Sequence, residues 1–255
     1  MKKSTFYFIL FLLIPLSGFS QFKDAFFTYG GFVLPYQISF PENYDINKQY
    51  PLLLFLHGAG ERGIDNKKQL THGQNFLLEN TQSKYPAIVI VPQCPEMSYW
   101  SCVKSNTGFP KRSFDFSDTE NISLPMKTLI ALVNDWLSSG YIDTKRVYVG
   151  GLSMGGMGTF EILWRMPNIF KAAFPVCGGG NLEKTKSYAK NTALWIFHGA
   201  DDAVVPVQHS QSMYEELKKN GCDVKYTEYP GVNHNSWDNV FQETELFPWL
   251  FSHKK

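Results

Sequence analysis

A sharp turn at residues 151–155 constrains the fold more than any other feature of this sequence. The turn reads Gly-Leu-Ser-Met-Gly, and it lies between a strand-like run at residues 146–149 and a helical pattern at residues 155–165. Glycine has no side chain to clash where a strand reverses directly into a helix. The pattern therefore predicts a strained strand–turn–helix unit that lifts the Ser153 hydroxyl above the edge of a sheet.

Strand-like and helical patterns alternate along the rest of the chain. Strands are predicted at residues 26–40 (a pair around two glycines), 51–56, 87–91, 146–149, 172–176, 193–197 and 224–229. Helices are predicted at residues 124–137, 155–165, 210–219 and 241–251. Unbroken apolar strands are typical of parallel sheets that are buried on both faces. We therefore expect an α/β fold with a mostly parallel central sheet flanked by helices, and a site on the loops beyond the strand ends.

The first 20 residues have the order of a secretory signal peptide. Lys2 and Lys3 precede an almost wholly apolar run at residues 6–16, and the small residues Gly18 and Ser20 follow it. That run is about half the ~20 residues that a membrane-spanning helix needs, although an uncleaved anchor is the alternative. We expect cleavage after Ser20, export to the periplasm or beyond, no stable membrane insertion, and one domain over residues 21–255.

The charge and the cysteine content bear on three questions: nucleic-acid binding, disulfide formation and metal binding. The chain has 24 basic and 23 acidic residues, and a net charge of only +1 is too small to attract nucleic acid. Cys94 and Cys102 lie close together in a loop-like segment, where an exported chain could form a disulfide or keep two free thiols. The chain has no CxxC or His-Glu-x-x-His pattern, so we expect no metal and no cofactor.

A serine on such a turn is a candidate nucleophile, and it needs a general base. Of the histidines that follow Ser153, His234 lies between the last predicted strand and the last predicted helix, which favours it as the base. His198 and His209 are the alternatives, and His198 is more easily explained as shaping the loop that holds the acid. His253 lies in a charged tail near the end of the chain.

The acid of such a site should follow the strand at residues 193–197. The loop after this strand offers Asp201 and Asp202, of which Asp202 is favoured because it stands three residues before Val205-Pro206. The chosen carboxylate would accept a hydrogen bond from the imidazole and fix its tautomer. Asp201 is the alternative.

Two backbone amides are needed to bind the negative charge that develops during acyl transfer. One is expected from Met154, the residue after the candidate nucleophile. The other should come from the His-Gly-Ala-Gly segment at residues 57–60, where Ala59 is favoured and Gly60 is the alternative. His57 itself is expected to brace this loop rather than act as a base.

Together these residues resemble the α/β-hydrolase superfamily over nearly all of residues 21–255. The segments Leu-His-Gly-Ala-Gly-Glu-Arg-Gly at 56–63, Asp-Asn at 65–66, Val-Pro-Gln-Cys-Pro at 91–95 and Gly-Leu-Ser-Met-Gly-Gly at 151–156 carry the resemblance. They are similar to an exported esterase group, often labelled predicted peptidase or carboxylesterase. Related groups are carbohydrate esterase family 1, the dienelactone hydrolases and the phospholipase/carboxylesterases. The resemblance implies a metal-free ester hydrolase with Ser153 as nucleophile, Asp202 as acid and His234 as base.

The substrate is less constrained than the mechanism. Residues 94–123 form a long aperiodic segment whose aromatic side chains could stack a sugar or a phenolic acyl group, and Trp237 follows the candidate base closely. The aromatics of that segment are Tyr99, Trp100, Phe109 and Phe114. We interpret Trp100 and Trp237 as the candidate substrate contacts, with packing onto the domain as the alternative. The leading hypothesis is removal of feruloyl or acetyl groups from plant polysaccharide, and the others are a serine peptidase and a non-catalytic polysaccharide-binding protein.

Overall fold

The computed structural model describes residues 21–106, 108 and 112–254, and its centre is a twisted sheet. Within these residues eight strands form the sheet, in the order β1-β2-β4-β3-β7-β8-β9-β10. Their bounds are β1 Lys23–Tyr29, β2 Phe32–Ser39, β3 Tyr50–Leu56, β4 Ile88–Pro92, β7 Ile142–Leu152, β8 Ala172–Val176, β9 Ala193–Gly199 and β10 Val224–Tyr229. A separate hairpin consists of β5 Lys104–Asn106 and β6 Ser113–Asp115.

The direction of the strands brings the loops that matter to one edge. β1 and β2 pair antiparallel, and so do β2 and β4. From β4 through β3, β7, β8 and β9 to β10 the neighbouring strands are parallel. The loops after β3, β4, β7, β8, β9 and β10 therefore leave the sheet on the same side.

Helices cover both faces of this sheet. Their bounds are α1 Gln74–Thr81, α2 Leu124–Ser138, α3 Met154–Arg165, α4 Gln208–Lys219, α5 Trp237–Val240 and α6 Leu246–Ser252. Side chains alternate across a strand, so Leu54 and Leu56 of β3 join the core beneath α2 and α3. Leu53 and Phe55 join the opposite core beneath α1 and α6. This two-sided burial explains why β3 is an unbroken apolar run.

The predicted fold is confirmed, including the mostly parallel sheet and nearly all of the predicted strands and helices. The single closing helix predicted at residues 241–251 is wrong, because the chain there leaves α5 and begins again at α6. Pro248 explains the break, because proline is tolerated in the first turn of α6 but would clash within a continuous helix. Helix α1 and the β5–β6 hairpin were not predicted.

The predicted signal peptide at residues 1–20 lies outside the described residues. Among the helices that the structure does describe, none combines the length and the apolar character needed to cross a bilayer.

Candidate active site

Ser153 stands on a strained turn between β7 and α3. Its φ of 55° and ψ of −116° place it in a region that side-chain-bearing residues rarely adopt. Its backbone N–H donates to the Val176 carbonyl of β8 at 2.9 Å, which holds the turn. A Cβ on Gly155 would lie 2.0 Å from the Leu56 carbonyl oxygen, so only glycine permits this approach of α3 to β3.

His234 lies within hydrogen-bonding distance of the serine hydroxyl. The Ser153 Oγ is 2.9 Å from Nε2 of His234, and Nδ1 of the same ring is 2.7 Å from Asp202 Oδ2. Because an ionised carboxylate can only accept, Nδ1 carries the hydrogen and Nε2 is left to accept from the serine. The structure therefore brings together the three residues that the sequence favoured as nucleophile, base and acid.

Asp202 is held on both of its oxygens. Oδ1 accepts the backbone N–H groups of Val204 and Val205 at 2.8 and 2.9 Å, and Oδ2 faces His234 and His198. Burial opposes ionisation of this fully buried carboxyl, but the hydrogen bonds outweigh it and hold its pKa well below the usual range. Asp202 is thus a carboxylate that stays charged at neutral pH.

The alternative residues lie elsewhere. Asp201 is exposed and uses its backbone N–H on the Val232 carbonyl. The ring of His209 packs edge-on against Phe114 and Phe116, with centroids 5.8 and 5.5 Å away. His253 contacts Trp249 and Asp223 at the far end of the chain.

The loop after β3 presents its amides beside the serine turn. Met154 is the first residue of α3, where a helix N–H has no partner within the helix, and Ala59 opens a short 3-10 helix at Ala59–Glu61. The Cys94 N–H donates to His57 Nε2 at 2.9 Å, so the His57 hydrogen is on Nδ1, which donates to the Gly58 carbonyl at 2.6 Å. That bond fixes the Gly58–Ala59 peptide plane and directs the Ala59 N–H away from the ring. Met154 and Ala59 as oxyanion donors remain a prediction.

Further polar side chains support this loop. Arg62 Nε donates to the Ala59 carbonyl at 2.8 Å. The Gln93 Oε1 accepts the Asn66 N–H at 2.7 Å, while its Nε2 donates to Asp65 Oδ1 at 2.9 Å. The sequence motifs around residues 61–66 and 91–95 carried only a resemblance. Their structural reason is this network, which no spacing rule would have indicated.

Comparison with known proteins identifies the family to which the chain belongs. The model of the family described as phospholipase/carboxylesterase matches residues 44–247. The chain belongs to that family. This carboxylesterase-family chain is 26% identical over 217 residues to acyl-protein thioesterase 1 of Gibberella zeae, covering 76% of its own length and 88% of that protein.

Solved structures agree with this membership. A thermostable esterase is 35% identical with a TM-score of 0.80, and the match covers 92% of this chain but only 64% of the esterase chain. A ferulic acid esterase matches with a TM-score of 0.68 over 91% of this chain and 98% of its own, but at 14% identity it shows the fold alone. The chain is an α/β-hydrolase of the carboxylesterase and thioesterase type.

The prediction that Trp100 contacts substrate is wrong. Trp100 is completely buried in this carboxylesterase-family chain, and its indole Nε1 donates to the His57 carbonyl at 3.3 Å. Its Cβ lies 2.5 Å from where a side chain on Gly158 would begin, so it fills the space beside α3. Trp100 thus supports the loop after β3 from behind.

The other aromatic candidates have separate environments. Trp237 is partly exposed and packs edge-on against the His234 ring at 5.4 Å. Tyr99 lies beneath the Arg62 guanidinium at 5.0 Å, and Phe109 lies outside the described residues. Trp237 therefore remains a candidate for contact with the substrate.

The disulfide considered for Cys94 and Cys102 is absent, and within the described residues both are free thiols. Cys94 is buried, with its N–H on His57, whereas the Cys102 N–H donates to Glu161 Oε2 on α3 at 2.8 Å. Their backbones are thus held by different partners, and burial raises the pKa of the Cys94 thiol to about 12.

One group of side chains has the composition of a metal site. The Cys177 thiol has its ligand atom within 4.8 Å of those of Asp202 and His234. Both ring nitrogens of His234 already face Ser153 and Asp202, and burial holds the pKa of the Cys177 thiol above its usual range. This arrangement suits proton transfer better than metal ligation. The expectation that no metal or cofactor is used stays a prediction.

Proposed function

We propose that this chain is an exported serine carboxylesterase. The observation that carries the proposal is the continuous hydrogen-bonded chain from Ser153 through His234 to the ionised Asp202, with links of 2.9 and 2.7 Å. A serine hydroxyl becomes nucleophilic when a neutral, correctly oriented imidazole can accept its proton. Asp202 supplies that orientation by holding the hydrogen on Nδ1.

In the acylation step, the Ser153 Oγ attacks the ester carbonyl carbon while His234 Nε2 takes the hydroxyl proton. The carbonyl oxygen becomes an anion, which the N–H groups of Met154 and Ala59 bind. The imidazolium then gives its proton to the alcohol oxygen as the carbon–oxygen bond breaks. The alcohol leaves, and the acyl group remains bonded to Ser153.

In the second half, water replaces the alcohol. His234 accepts a proton from the water, whose oxygen attacks the acyl carbon. Collapse of the second tetrahedral intermediate breaks the bond to Ser153, which recovers its proton from His234. The carboxylic acid leaves and the enzyme returns to its starting state.

The substrate class that we favour is a feruloyl or acetyl ester on plant polysaccharide. Trp237 supports it, because its indole lies beside His234, where the departing sugar hydroxyl must be protonated. Fold similarity to a ferulic acid esterase is consistent with such a substrate. Export is favoured by the charged and apolar order of residues 2–16. Mass spectrometry of protein secreted by an expressing host should find Gln21 at the N-terminus, and an intact leader would contradict export.

Replacement of Ser153 by alanine tests the mechanism. The variant should fold but lose p-nitrophenyl acetate turnover by at least about three orders of magnitude, because no nucleophile remains. It should also fail to react with a fluorophosphonate probe, whereas Ser187→Ala, a change in the 3-10 helix far along the chain, should react as the wild type does. Turnover near the wild-type level in Ser153→Ala would refute the mechanism.

A substrate panel tests the specificity. We expect kcat/KM for feruloylated or acetylated xylo-oligosaccharides to exceed that for longer p-nitrophenyl acyl esters and for aminoacyl p-nitroanilides. Preference for the anilides would establish a peptidase on this fold. Binding of xylo-oligosaccharides without turnover or probe labelling would establish a carbohydrate-binding protein.

A further inference from the structure

A second histidine, His198, faces Asp202 and takes no part in the acylation and deacylation steps. His198 is the penultimate residue of β9, is completely buried, and points Nε2 at Asp202 Oδ2 from 3.1 Å. This is the same carboxylate oxygen that accepts the His234 Nδ1–H at 2.7 Å. One oxygen of the acid therefore serves two imidazoles.

The hydrogen on His198 can be placed from its neighbours. Nε2 faces the Asp202 carboxylate and also the Val205 carbonyl, which is 3.0 Å away. Both groups are acceptors, so Nε2 must carry a hydrogen. On the other side Nδ1 lies 2.7 Å from the Ser210 hydroxyl, which in turn is 3.0 Å from the Gly178 carbonyl. The ring is thus held at both ends, on α4 and on the acid loop.

We propose that His198 is a positioning residue of the catalytic apparatus. It holds the Asp202 carboxylate in place and weakens the electrostatic attraction between that carboxylate and the base His234. The inference rests on the proposed esterase function. A second donor on Oδ2 withdraws part of the negative charge that would otherwise stabilise the protonated form of His234. The shared oxygen therefore attracts the His234 Nδ1–H less strongly than an oxygen with a single donor would.

Other groups also face this cluster and must stay unchanged in the test. The Cys177 thiol lies against Asp202 and His234 from the end of β8, and the Ser153 hydroxyl faces His234 from the β7–α3 turn. His209 of α4 and Glu228 of β10 interact electrostatically with His198. Substitutions at His198 alone leave all four in place.

Two substitutions distinguish an effect of His198 on the Asp202–His234 pair from a purely structural role in the loop that carries Asp202. His198→Met has a similar volume and no N–H, whereas His198→Gln keeps an amide N–H near the place of Nε2. Loss of the donor should leave more negative charge on Asp202 Oδ2 facing the base, so the acid limb of the kcat/KM profile for p-nitrophenyl acetate should move up by about half a pH unit in His198→Met. The loss of rate should be about threefold at the acid end and smaller at the alkaline end. His198→Gln should restore the position of the limb.

The outcomes decide between the two roles. If both variants lose activity at every pH while the limb stays in place, His198 only braces the loop and the proposal is overturned. NMR of wild-type enzyme labelled with ¹⁵N-histidine gives a decision that needs no variant. We expect a hydrogen on His198 Nε2, and an unprotonated Nε2 would overturn the proposal. That measurement holds even if the wild type hydrolyses no ester, a result that would instead overturn the proposed function.

Discussion

The dipeptide His-Gly occurs at the ends of two parallel strands, after β3 at residues 57–58 and at the end of β9 at residues 198–199. Both imidazoles are buried, yet they have opposite partners. His57 accepts a backbone N–H on Nε2 and donates from Nδ1 to a carbonyl, whereas His198 donates from Nε2 to a carboxylate. One ring orients a peptide group and the other orients an ionised acid. The same dipeptide thus acquires its role from the neighbouring loop.

The largest effect should follow from removing the charge of Asp202, the acid that His198 of β9 contacts. In Asp202→Asn neither His234 nor His198 has an ionised acceptor, so the tautomer of the base is no longer fixed. We expect kcat to fall on the order of 10³–10⁴-fold. Steady-state kinetics with p-nitrophenyl acetate would measure it. The neighbouring Asp201→Asn is the matched control, because that side chain is exposed, and a loss there instead would reassign the acid.

The β3 side should dominate the response of stability to acid. Burial, and secondarily the Arg62 charge, lower the pKa of His57 to about 4, below the 6.5 of an unfolded histidine. Between these values the unfolded chain binds the proton that the folded protein excludes, so stability is lost as pH falls. His57 should contribute a loss of about 2–3 kcal/mol in the free energy of unfolding between about pH 7 and 4.5.

Urea unfolding at the two pH values measures this loss. His57→Asn should be less stable at neutral pH but should lose less on acidification, because no imidazole remains to titrate there. Ser187→Ala, which removes no titratable group, should keep the wild-type slope. An unchanged slope in His57→Asn would assign the acid sensitivity to other groups.

A smaller effect is expected on the chemistry itself. In His57→Leu the Gly58–Ala59 peptide loses the bond that orients it, so the Ala59 N–H should bind the oxyanion less well. Complete removal of such a donor typically costs 10²–10³ in kcat, and loss of orientation should cost about tenfold, with KM little changed. His57→Asn, whose amide can still donate to the Gly58 carbonyl, should recover part of that loss. A change in KM alone would mean that His57 acts on substrate binding.

The sequence predicted the candidate nucleophile, acid and base because each follows the end of a strand, where the order of the chain determines its position. Ser153 follows β7, Asp202 follows β9 and His234 follows β10, so a parallel sheet brings them to one edge. His198 lies four residues before Asp202, and the sequence indicated its place in that loop but not the oxygen that it shares.

Residues whose role depends on side-chain direction could not be predicted in this way. Trp100 was placed on the correct loop, but an indole can turn outward to substrate or inward to His57, and only packing against Gly158 decides. Likewise, the short spacing of Cys94 and Cys102 does not reveal that their backbones are held by different partners. The strands β5 and β6 could not be predicted from hydrophobic periodicity, because their side chains are mostly exposed.

The smallest effect should come from a side chain whose backbone, rather than its thiol, serves the β3 site. The backbone N–H of Cys94 donates to His57 Nε2, and alanine keeps that N–H. Cys94→Ala should therefore retain kcat within about twofold and lose about 1 kcal/mol or less in the free energy of unfolding. Chemical denaturation and p-nitrophenyl acetate kinetics measure both quantities. In the wild type, thiol titration should count Cys94 and Cys102 as free, with Cys102 reacting first because Cys94 is buried. A loss of several kcal/mol together with two missing thiols would mean that a disulfide, and not the His57 hydrogen bond, holds this loop.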